Sequence, residues 1–163
     1  MKQLLILRHA KSSWENDHLS DFQRPLNGRG RADAPRMGKL LAELDLRPEL
    51  IISSSAKRAR LTADAVAAAS SYEGEIIYSR DLYMAMAEDY IEVLRELGGN
   101  HKLVMVVGHN PGVEELLEML SDTWERMPTA ALALIELPIN DWHDLPAEAV
   151  GRLAGVWRPK ELQ

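Results

Sequence analysis

Met1-Lys2-Gln3-Leu4-Leu5-Ile6-Leu7-Arg8-His9 places four consecutive aliphatic residues directly before an arginine and a histidine. Unbroken rather than alternating hydrophobicity predicts a β-strand covered on both faces, as in a parallel sheet packed between helices. Such a strand brings the residues after it to the carboxyl edge of the sheet, where open α/β sheets place their ligands. Here those residues are a permanent cation with a planar donor fork and an imidazole able to act as base or nucleophile.

Outward from this strand, the pattern repeats. A long polar loop covers Ala10 to Asn27, and Asn27 is read as the cap of a helix from Gly28 with Met37, Leu40, Leu41 and Leu44 on one buried face. Pro35 either kinks that helix or marks its true start. Leu50-Ile51-Ile52 is a second strand, and Ser53-Ser54-Ser55 form a loop able to cap a helix from about Ala56 to Ala69. Glu75 to Tyr78 is a third strand. A helix from Glu88, with Ile91, Leu94 and Leu97 inward, is ended by Gly98-Gly99. Leu103 to Val107 is the strongest strand signal and ends in Gly108-His109-Asn110-Pro111-Gly112, read as an Asn cap with proline at the first helical position. Val113, Leu116, Leu117 and Leu120 continue that helix. Ala130 to Leu137 and Leu153 to Trp157 are the last strands, joined by a polar connection from Asn140 to Ala147.

This alternation predicts one α/β domain over residues 1–163, a three-layer α/β/α sandwich with a mostly parallel central sheet and an antiparallel strand near its end. A length of 163 residues and 46% hydrophobic composition suit such a domain. No segment approaches the roughly 20 apolar residues of a membrane span, and no signal-peptide arrangement is present, so the expectation is a cytoplasmic protein without a membrane partner. The absence of cysteine removes disulfides, thiolate metal sites and cysteine nucleophiles. A formal charge of −6 without a Lys/Arg block argues against a nucleic-acid partner.

Three strand ends meet at one edge in a parallel sheet. The first carries Arg8 and His9, the second leads through serines to Arg58, and the fourth ends at His109, about a hundred positions after His9. Helix starts favour anions, and arginine forks match the oxygens of a phosphoryl group. The combination predicts a phosphate site that contains histidine.

These residues resemble the histidine phosphatase (phosphoglycerate-mutase-like) superfamily, and within it the short SixA-like phosphohistidine phosphatases. The resemblance rests on Leu7-Arg8-His9-Ala10-Lys11-Ser12, Arg24-Pro25-Leu26-Asn27 with Gly30, Ser55-Ala56-Lys57-Arg58-Ala59-Arg60-Leu61-Thr62-Ala63, and Val107-Gly108-His109-Asn110-Pro111. It implies that His9 is the nucleophile and becomes transiently phosphorylated, while Arg8, Arg58 and His109 surround the transferred group and Arg24 makes a fourth contact. It also implies that water hydrolyses the intermediate with no metal or organic cofactor, on a phosphorylated substrate that can be a phosphohistidine-containing protein.

The chain departs from larger relatives at the general acid. They carry a glutamate shortly after the third strand, whereas Leu82-Tyr83-Met84-Ala85-Met86-Ala87 holds no acid before Glu88. Asp21, Asp81 and Glu88 are the candidates. The gap suits an imidazole leaving group, which departs easily once protonated, better than an alkoxide. Glu15 stands where mutase-type members have an asparagine touching phosphate, and a carboxylate cannot donate that bond. A phosphatase of small phosphoesters and a non-catalytic phosphate-binding module remain the alternative readings. No closely spaced ligand pair supports a histidine metal site. His18, His101 and His143 are read as surface residues, Arg60 as part of a solvated helix face, and the four tryptophans as packing or loop anchors.

Overall fold

The computed structural model describes residues 1–162. Six strands form one sheet in the order β3-β2-β4-β1-β5-β6: β1 (Lys2–Arg8), β2 (Leu50–Ser54), β3 (Ile76–Ser79), β4 (Leu103–Gly108), β5 (Leu132–Leu137) and β6 (Arg152–Trp157). Strands β1 to β4 pair in parallel, and β5 runs antiparallel to both β1 and β6. Helices α1 (Gly28–Glu43), α2 (Lys57–Ser70), α3 (Ala87–Leu97) and α4 (Gly112–Ser121) cover the faces. The expected α/β/α sandwich is what forms.

Alternation along β1 explains the two covered faces. Leu4 and Ile6 pack into one apolar cluster with α3 and α4, while Leu5 and Leu7 pack into the other with α1 and α2. All four are fully buried. Strand β4 repeats the division, with Val104 and Val106 on the first side and Met105 and Val107 on the second. At about 1.5–3 kcal/mol for each fully buried aliphatic side chain, these two strands anchor both layers. Helices α1 and α2 approach closely because Gly38 has no side chain: a Cβ there would lie 2.6 Å from the Val66 carbonyl and 2.7 Å from Ala69 Cβ.

Some local expectations hold and others change. Helix α1 runs through Pro35, and its start is Gly28, whose preceding Asn27 accepts from the Gly30 N–H at 2.9 Å. Ser53 and Ser54 belong to β2, and the residue before α2 is Ala56; Ser54 Oγ accepts the Ala56 N–H at 3.2 Å instead of capping the helix itself. The Asn110–Pro111 peptide is cis, and α4 starts after Pro111 rather than at it. Asn110 donates to the Met127 carbonyl at 2.9 Å and to Glu114 at 3.1 Å, so its side chain ties the turn to the α4–β5 connection and caps nothing. Trp142, inside the polar connection, is fully buried and donates to the His101 carbonyl at 2.6 Å.

The topology prepares a crevice. The chain leaves β1 toward β2 by way of α1 on one face, and leaves β4 toward β5 by way of α4 on the other. Adjacent strands whose connections diverge open a gap at their carboxyl ends. In this protein those strands are β1 and β4.

Candidate active site

Arg8 pairs with Gly108 across β1 and β4, so His9 and His109 are the next residues of two hydrogen-bonded strands. The His9 N–H donates to the Gly108 carbonyl at 3.0 Å, and the two imidazole centroids lie 5.1 Å apart. Gly108 is required by close approach, because a Cβ there would run into the Tyr90 ring. The Tyr90 hydroxyl accepts the His109 N–H at 3.2 Å and holds that turn from beneath.

A hydrogen bond constrains the tautomer of each imidazole. His9 Nδ1 lies 2.7 Å from the Ala10 carbonyl, which can only accept, so Nδ1 carries the proton and Nε2 keeps its lone pair. Ser54 Oγ accepts from Ala56 and lies 2.8 Å from His109 Nε2. A hydroxyl that donates to Nε2 puts the ring proton on His109 Nδ1, a buried nitrogen without a hydrogen bond. Burial pushes His9 down to about 3 and His109 down to about 4, and nearby Arg58 and Arg8 push both the same way. Both rings are neutral near pH 7.

The cations arrive from different segments. Arg8 Nη1 donates to the Met127 carbonyl at 3.1 Å, its buried Nε has no hydrogen bond, and burial holds its guanidinium below the usual range. Arg58, buried in the first turn of α2, donates to the Asp21 carbonyl at 2.7 Å and to Asp21 Oδ2 at 3.0 Å. Arg24 is buried in the loop, donates to the Ser13 carbonyl at 3.0 Å, to Asp21 Oδ1 at 2.9 Å and to Ser12 Oγ, and lies 3.3 Å from the centroid of the exposed Trp14 ring. That loop closes on itself through a Ser12–Leu26 bridge, which is why an arginine within it can be buried. Thr62 joins two segments: its Oγ1 accepts the Ala10 N–H at 2.9 Å and donates to the Arg58 carbonyl at 2.7 Å.

Of the three acid candidates the structure brings only Asp21 to this group. Its carboxylate also accepts from the Tyr83 hydroxyl at 2.7 Å, and that bond, with Arg24 and Arg58, holds it down to about 2. Asp81 is exposed and its side chain bonds none of the site residues. Glu88 lies in the first turn of α3, on a groove shared with Glu115 and Asp122 of the α4 region. Tyr83, Ser54 and Tyr90 were not identified from the sequence. Tyr83 sits in the stretch that lacks the expected glutamate, which was the one available signal. Among the described residues, no three His, Asp and Glu side chains are grouped so as to hold a metal ion, and no helix is long and apolar enough to cross a membrane.

A strand-end histidine among buried arginines, with a second histidine one strand away, can hold a phosphoryl group and attack it. Comparison with known proteins agrees. Residues 4–83 match the histidine phosphatase superfamily, branch 1. An uncharacterised chloroplastic protein of Arabidopsis thaliana is 33% identical over 152 residues, covering 88% of this chain and 70% of its own. The crystal structure of the putative phosphohistidine phosphatase SixA from Agrobacterium tumefaciens is 32% identical with a TM-score of 0.82, over 97% of this chain and 98% of that one. The protein histidine phosphatase SixA complexed with tungstate shares the fold at a TM-score of 0.84 and 22% identity, over 99% of both chains. The chain belongs to the histidine phosphatase superfamily. It is a phosphatase of the SixA-like kind.

Proposed function

We propose that this phosphatase removes the phosphoryl group from phosphohistidine in a protein partner, through a phosphorylated His9 and without a metal or organic cofactor. The observation that carries the reading is the His9 Nδ1 to Ala10 carbonyl bond, which leaves Nε2 as an unprotonated nucleophile beside buried guanidinium groups. In the first step the Nε2 lone pair forms a bond to phosphorus as the substrate's phosphorus–nitrogen bond breaks. The electron pair passes to the departing imidazole, which takes a proton. Water then attacks phosphorus, the Nε2–phosphorus bond breaks, and orthophosphate leaves with neutral His9 restored.

Arg8, Arg58 and Arg24 neutralise the transferred oxygens, and His109 Nδ1–H donates to one of them. The proton for the leaving nitrogen is assigned to Asp21. As it stands this group is an ionised carboxylate clamped by arginines. A phosphoryl dianion competes for the same guanidinium groups and adds a like charge, and both effects raise the Asp21 pKa as substrate binds. Substrate binding thereby moves Asp21 toward taking up a solvent proton, which it can pass to the departing nitrogen. This weak, substrate-dependent acid suits an imidazole leaving group better than an alkoxide.

The test is phosphoryl trapping. Incubation with phosphoramidate followed by rapid quench and peptide mass spectrometry should place one phosphoryl group on His9, and His9→Ala should neither label nor turn over while keeping its circular dichroism. Full turnover by His9→Ala would exclude the mechanism. A strong preference for simple alkyl phosphates over a phosphohistidine peptide would exclude the substrate, and loss of activity with chelator would exclude cofactor independence.

A further inference from the structure

Several cations that the His9 chemistry does not use gather beside it. A cleft of about 310 Å³ opens at Arg8, between the loop after β1, the start of α1, the α4–β5 connection and the turn after β6. Six cations line it, Arg8, Lys11, Arg29, Arg126, Arg158 and Lys160, against the single carboxylate of Glu161. In a chain of formal charge −6 this excess is local.

The six are not equivalent. Arg158 is engaged by Glu125 at 2.9 Å and Glu161 at 3.4 Å, and its Nε donates to the Arg126 carbonyl at 3.0 Å. It is a brace that fixes the Arg126 backbone to the turn after β6. Arg29 reaches Asp33 at 3.4 Å. Among the described residues, Lys11, Arg126 and Lys160 have no carboxylate partner, and the buried Nε of Arg8 has no hydrogen bond.

We propose that this cleft is an anion subsite that reads carboxylate side chains flanking the phosphorylated residue of a protein substrate, an inference that rests on the phosphatase reading of the His9 site. Arg8 belongs to both walls, so a chain held by its phosphoryl group at His9 passes directly into the cleft. Concave walls of one sign focus the field on an entering anion. Two of the three unpartnered cations are lysines, mobile point charges that can follow carboxylates on flexible side chains. The rest of the chain is net negative, so attraction to this cleft also orients an acidic partner.

The experiment compares kcat/KM for two phosphohistidine peptides, one with aspartates flanking the phosphorylated residue and one with alanines. It uses the wild-type chain, Arg126→Ala/Lys160→Ala, and the charge-matched control Lys39→Ala/Lys102→Ala. The wild type and the control should prefer the acidic peptide by on the order of tenfold at low salt, with the preference shrinking as salt rises. In Arg126→Ala/Lys160→Ala the ratio should fall to near unity. Equal rates on the two peptides in the wild type, or a preference that survives the Arg126→Ala/Lys160→Ala change, would overturn the subsite. A bisphosphorylated small molecule preferred over its monophosphate, with neither peptide turned over, would overturn it in favour of a second phosphoryl group. Absence of turnover on phosphoramidate as well would instead sink the reading of the His9 site.

Discussion

Asp21 accepts from Arg58 at 3.0 Å and, with its other oxygen, from Arg24 at 2.9 Å, so one exposed carboxylate bridges two buried guanidinium groups. These are donors that an incoming phosphoryl group would take. Asp21→Asn removes the competing charge and the proposed acid together, and the two effects separate in the kinetics. The inhibition constant for inorganic phosphate should fall by about threefold to tenfold, while kcat on phosphohistidine peptide should fall by about 10²-fold, the size of a lost general acid. Unchanged kcat with tighter phosphate would leave Asp21 as a competitor and remove it as the acid.

The second expectation concerns the tautomer of His109. Ser54→Ala deletes the hydroxyl 2.8 Å from Nε2, so the proton is no longer directed to Nδ1. Turnover should drop by about tenfold or more with little change in KM, because the bond affected matters most as charge develops on the phosphoryl oxygens. Steady-state kinetics would check this, and Ser54→Thr, which restores a hydroxyl, should recover part of the loss.

Acid should destabilise the fold before most carboxylates titrate. His9 and His109 are held at about 3 and about 4 in the folded chain, against 6.5 for the ordinary side chain. Between those values the unfolded chain binds more protons, so stability is full above about 6.5 and is lost as pH falls toward 3. Asp21, held at about 2 against 3.8, adds a loss of the same sign at lower pH. Urea midpoints measured from pH 7.5 to pH 4 should fall monotonically, and less so for His9→Ala. Histidine-selective NMR should find both site imidazoles neutral at pH 5.5.

Thr62 carries a structural expectation. Thr62→Val keeps the shape but leaves the buried Ala10 N–H and Arg58 carbonyl without their partner. The cost should be about 1–3 kcal/mol of stability, read from the denaturant midpoint. Activity should fall too, because Ala10 supplies the carbonyl that fixes His9.

Much of the fold was legible in the residues. The apolar runs at Leu4–Leu7 and Leu103–Val107 were readable as strands covered on both faces, which puts His9 and His109 at one sheet edge; that the two strands are neighbours in register is a property of the folded sheet. Asn27 was readable as a cap because its partner, Gly30, is three residues away. The features that escaped depend on distant contacts. The bond from Tyr83 to Asp21 spans 62 positions, and nothing local in either segment announces it. Asn110-Pro111 carried a helix-start pattern, but Asn110 bonds Met127 across the site, and tertiary demand overrode local preference. Trp142, read as a packing or loop anchor within a polar connection, is one: its ring packs beneath α3 against Gly98. The cleft escaped because its cations come from four segments that only the folded chain assembles.

The ladder between β1 and β4 has one more consequence. Because His9 and His109 come directly after the paired residues Arg8 and Gly108, their separation is fixed by main-chain bonds at the centre of the sheet. The exposed loop residues 14–18 and 122–124 contribute no rung to that ladder. They can be varied to change what approaches the site, while Ala10, Asp21, Arg24, Tyr83 and Met127, whose groups bond the site residues, stay in place.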